Sequence, residues 1–141
     1  MPRIHRLLYL SVLVLAGSGG PSLAQRPPGP GAPCQGLANL SARECFDREY
    51  KMAQDKLRTF LTQINDALAA PEDRKRLSRA QAAWIRERDL TCDADAELHF
   101  GSGSGRDSEF VSCLLTGTNL RLNELHSVYD RNVERTRRQS Q

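Results

Sequence analysis

The apolar positions of this chain fall into three stretches of helical period, separated by two breaks. In the first, Phe46, Tyr50, Ala53, Leu57, Phe60, Leu61, Ile64 and Leu68 recur at steps of three and four residues and stop at Ala69-Ala70, just before Pro71. Ser41-Ala42-Arg43-Glu44 has the spacing of a capping box, which predicts a helix that starts at Ala42. Pro71-Glu72-Asp73 makes a favourable first turn for a second helix, carrying Leu77, Ala80 and Trp84 and running to about Leu98. Gly101-Ser102-Gly103-Ser104-Gly105 breaks the pattern. Asp107 or Ser108 can then cap a third helix, which presents Phe110, Cys113, Leu114, Thr118, Arg121, Leu125 and Val128 and ends near Arg135. No useful stretch alternates with the two-residue period of a strand. The expected fold is therefore all-α, a three-helix antiparallel hairpin stack.

The second helix carries an anomaly. Helical spacing puts Gln81, Trp84, Arg88 and Cys92 on one face, so a face expected to be apolar bears an amide, a guanidinium and a thiol. Such groups need partners when buried. Folding the second and third helices about Ser102-Gly103 sets Cys92 opposite Cys113, Trp84 opposite Arg121, and Arg88 opposite Gly117 and Thr118. That register favours a Cys92–Cys113 crosslink and leaves Cys34–Cys45 as a local clasp, with two other connectivities formally open. Folding the first helix back about Ala70-Pro71 brings Leu57 towards Trp84 and Asp55 towards Arg88, which makes Asp55 or another carboxylate a candidate counter-ion.

The ends of the chain bear on compartment. Arg3, His5 and Arg6, the apolar run from Leu7 to Ala16, and Ser22-Leu23-Ala24 read as a signal peptide over residues 1–24, cleaved near Ala24. Residues 25–33, rich in Pro and Gly, read as a linker before a helical domain over 34–135 and a disordered tail over 136–141. All four cysteines lie beyond the leader, which fits two disulfides in a periplasmic or secreted protein. No stretch beyond the leader approaches the roughly 18 apolar residues of a membrane span, so stable membrane insertion is not expected.

Losing Arg3 and Arg6 reduces 20 basic residues to 18, against 17 acidic ones. Near-neutrality of this kind argues against nucleic-acid binding. The Arg131, Arg135, Arg137 and Arg138 cluster reads as a charged helix end. Asp93, Asp95 and Glu97 begin like a calcium loop, but Leu98 stands where its tight turn needs Gly and Ser104 where it needs a bidentate Glu. His99 and His126 sit in no nucleophile or zinc motif. No catalytic residue, metal site or cofactor is expected, and a metal or small-ligand carrier is the weakest reading.

Asp55-x-Leu57, Gln81-x-x-Trp84-x-x-x-Arg88-Asp89-x-x-Cys92, and Cys113-Leu114 followed by Thr118-x-x-Arg121-x-x-x-Leu125 together resemble the LprI-like lysozyme-inhibitor family. The resemblance extends from Cys34 to about Val128. It departs in the first helix, where Arg58 and Phe60 replace a common Asn and Tyr. It implies an exported protein that binds and inhibits a lysozyme-type muramidase without chemistry of its own. The alternative is an envelope adaptor for another extracytoplasmic protein or peptidoglycan. Asp55, Leu57, Gln81, Trp84, Arg88, Thr118, Arg121 and Leu125 read as a structural signature, with Trp84 at the packing centre. A muramidase cleft with catalytic carboxylates favours an inserted donor, so Ser102, Ser104 and Arg106 are candidate partner contacts, while Asp93, Asp95 and Glu97 could attract a basic surface.

Overall fold

The computed structural model describes residues 34–37, 39–103 and 105–141. The expected leader and linker and Ser104 lie outside them. Three helices follow one another: α1 (Asn39–Ala67), α2 (Pro71–Phe100) and α3 (Arg106–Gln139). Among the described residues there is no strand, and the disulfides are Cys34–Cys45 and Cys92–Cys113. The all-α crosslinked stack read from the sequence is the observed architecture.

The helix ends differ from expectation for local reasons. α1 begins at Asn39, so Ser41 is exposed inside its first turn rather than capping it, and the Cys34–Cys45 bond fastens this end. It stops at Ala67 because Ala70, preceding Pro71, is forced into an extended conformation (φ −82°, ψ 127°). α2 continues to Phe100 and ends at Gly101, whose φ of 52° suits glycine and whose N–H bonds to Glu97 O at 2.8 Å. α3 runs to Gln139, past the expected end at Arg135. Arg137 and Arg138 both pair with Glu134 there and lie at the negative end of the helix dipole.

Successive helices reverse direction, so α1 and α3 run parallel. Contacts along that pair keep one register: Arg43 binds Asp107 near one end, and Phe60 stacks on His126 further along, with ring centroids 3.8 Å apart. The core lies chiefly between these two helices, in Leu57, Phe60, Ile64, Leu125 and Val133. Ile64 is fully buried. Val128, expected on the inner face of α3, is exposed instead.

Helix α2 contributes less to burial: its buried residues are Gln81, Cys92 and Ala96, while Leu90 and Leu98 face outward. It packs along α3 while its backbone stays farther from α1. Cys92–Cys113 therefore ties the least apolar helix to the one that shares the core. Replacing both of these cysteines by Ser should cost about 3 kcal/mol, the loop-entropy value for a crosslink of this span. Urea unfolding of the oxidised protein and the double variant checks it, and equal midpoints would remove this crosslink from the account of stability.

Candidate functional site

The polar face of α2 has the partners it needs. The Arg88 side chain is only 9% exposed, and its guanidinium donates three hydrogen bonds. Nε and one terminal nitrogen donate to Asp89 Oδ1 at 2.9 and 2.7 Å, and the other terminal nitrogen donates to Thr118 Oγ1 at 2.9 Å. Thr118, fully buried, in turn donates a hydrogen bond from its hydroxyl to Leu114 O at 2.7 Å. This chain of donors satisfies a buried charge that would otherwise be costly. Gly117 makes room for it: a Cβ there would stand 3.2 Å from Arg88 Cγ.

Aromatic faces complete the surroundings. The Arg88 guanidinium carbon lies 4.8 Å from the Trp84 ring centroid and 5.6 Å from that of Tyr50, both within cation–π range. Arg121 approaches Trp84 at 5.7 Å, donates from Nε to Gln81 Oε1 at 3.2 Å and pairs with Glu124. Gln81, Trp84, Arg88, Thr118 and Arg121 thus form one connected assembly. Leu57 and Leu125 belong to the core beside it.

Two readings of this region need correction. Asp55 is exposed and pairs with Arg58 on its own helix, so the counter-ion of Arg88 is its neighbour Asp89. The wider separation of α1 and α2 leaves Asp55 on the outer surface. Trp84 is half-buried at the edge of the core rather than at its centre, because the fully apolar packing occurs between α1 and α3.

Among the residues considered as partner contacts, Arg106 donates to Asp93 at 2.5 Å and to Glu97 at 3.1 Å, fastening the α2–α3 hairpin at its loop end. Its hydrogen bonds to Glu97 and then to Asp93 raise the Arg106 pKa. Three of those charges therefore answer one another. Asp95 is half-buried, with its backbone carbonyl facing His99 Nδ1, and Ser102 is exposed. Among the described residues no group of three His, Cys, Asp or Glu side chains could hold a metal ion.

Between α1 and α2 lies an open groove of about 730 Å³ that sequence periodicity does not reveal. Tyr50, Gln54, Arg58, Thr62 and Asn65 line one side, and Trp84, Ile85, Arg88 and Asp89 the other. Its size lies within the roughly 300–1,000 Å³ of ligand sites. Tyr50, noticed in the sequence only as an apolar-stripe residue, is half-buried there and its hydroxyl accepts a bond from Gln54 at 2.9 Å. Burial raises its pKa above the usual tyrosine value, outweighing the opposing pull of Arg88. Only the α1–α2 spacing, absent from either helix pattern alone, could have signalled the groove.

A family model described as lysozyme inhibitor LprI matches residues 34–125. No curated protein and no solved structure matches the chain.

Two variants probe the assembly. Thr118→Val keeps the shape but strips Arg88 of an acceptor, and should cost about 1–3 kcal/mol in urea unfolding; wild-type stability would show the bond to be dispensable. Tyr50 provides the pH test. Its folded pKa is raised, so the unfolded chain ionises first and stability falls as pH rises past about 10. Tyr50→Phe should escape that part of the loss, so its stability relative to wild type improves from pH 9 to 11. A difference independent of pH would contradict the burial of Tyr50.

Proposed function

The chain belongs to the LprI lysozyme-inhibitor family, and from that premise we propose that it is an exported protein that binds a lysozyme-type muramidase and blocks its cleft. The carrying observation is the span of the family match, residues 34–125, which takes in all four half-cystines and the whole Gln81–Arg88–Thr118–Arg121 assembly. The likeness therefore covers the part of the chain that builds the fold, rather than one motif within it. Export is supported by the two disulfides, which persist in oxidising compartments, and by the signal-like composition of residues 1–24.

Inhibition by occlusion asks for a rigid surface rather than reactive groups. Every cysteine in the chain is crosslinked. His126 is engaged by Asp130 at 2.7 Å and by the Phe60 ring. Such a crosslinked stack loses little freedom on association, which favours affinity. No helix among the described residues is long and apolar enough to cross a membrane.

Titrating the oxidised protein into a muramidase turnover assay, beside a direct binding measurement, tests the proposal. Saturable binding with a matching loss of turnover is expected. Binding without loss of turnover would favour an envelope adaptor, and absence of binding to every lysozyme class would overturn the reading.

A further inference from the structure

We propose that the α1–α2 groove is the surface that engages the partner, and that it receives an extended, uncharged segment of the muramidase. The identity of that partner rests on the reading above; the chemistry of the groove does not.

Charge is the first consideration. The groove's cations are answered within the chain, Arg88 by Asp89 and Arg58 by Asp55, so neither a strongly anionic nor a strongly cationic ligand finds an unopposed counter-charge. Hydrogen bonding is the second. Arg88 uses three of its five N–H groups, and the Tyr50 hydroxyl accepts from Gln54 while its own proton has no acceptor among the described residues. Both Tyr50 and Arg88 line the groove, so these spare donors border the space a ligand would enter. Carbonyl oxygens of an incoming backbone suit them.

Spacing is the third. Tyr50, Gln54, Arg58 and Thr62 follow one another at four-residue steps along the groove, about 6 Å per step on a helix axis. Two residues of a strand advance about 6.6 Å, and backbone groups two residues apart in a strand face the same way. A peptide lying along α1 therefore presents alternate backbone groups near successive polar side chains. Opposite them, half-buried Trp84 and partly exposed Ile85 offer apolar area, and Tyr, Trp and Arg are the residue types that dominate binding energy at interfaces.

The test compares wild type with Ile85→Glu and Tyr50→Ala in the groove, and with Leu98→Glu on an exposed site outside it, after thermal melts confirm folding. Muramidase affinity should fall at least tenfold for both groove variants and stay unchanged for Leu98→Glu. Wild-type affinity in both groove variants overturns the proposal. Where the wild type binds no muramidase, the functional reading fails on its own, and the groove is judged by the fluorescence of Trp84, the chain's single tryptophan. A saturable change with a capped, uncharged, strand-forming peptide of Thr and Val, abolished in Ile85→Glu, upholds the groove. No response, or a response to chitohexaose alone, overturns it.

Discussion

Arg88 carries a full charge on a side chain that is only 9% exposed, and the arrangement around it follows from keeping that charge satisfied. Asp89 supplies the counter-charge from the next position, Thr118 supplies an acceptor from α3, and Gly117 leaves space for the stem. Trp84 and Tyr50 place aromatic faces beside the guanidinium. A slip of one residue between α2 and α3 would separate Arg88 from Thr118 and crowd it against a side chain in place of Gly117. The buried charge therefore specifies register, a role ionic groups can serve even where they add little net stability. Cys92–Cys113 fixes the same register covalently, one helical turn further along α2.

Much of this was legible in the sequence because hairpin geometry is nearly one-dimensional. Once the Gly/Ser break at 101–105 is taken as the turn, pairing positions equidistant from it sets Cys92 against Cys113 and Arg88 against Thr118. The structure has both pairs. The first helix was harder to place. Its apolar stripe shows that it is half-buried but not which neighbour receives the stripe, and folding it back on α2 put Asp55 beside Arg88. In the structure the stripe meets α3, Phe60 stacks on His126, and Asp55 remains outside with Arg58.

The candidate site was illegible for the same reason. A groove is a property of the distance between helices, and α2 stands off α1 because its inward face is built from Gln81, Trp84 and Arg88 rather than from aliphatic residues. Residues chosen as contacts for their charge, Asp93, Glu97 and Arg106, fasten the hairpin to itself. Nothing in a linear charge pattern separates an ion pair closing a loop from a patch awaiting a partner. The Gln81–Trp84–Arg88 stretch of α2 thus has two faces: towards α3 it holds the fold, and towards α1 it walls a groove.

That double role depends on real coupling between Arg88 and the residue that anchors it. A double-mutant cycle on the free energy of unfolding, with Arg88→Met and Thr118→Val singly and together, measures the coupling directly. The account predicts an interaction of about 1 kcal/mol or more, because each substitution removes the partner of the other. Strict additivity of the two single effects would contradict it and leave the disulfide alone to set the register.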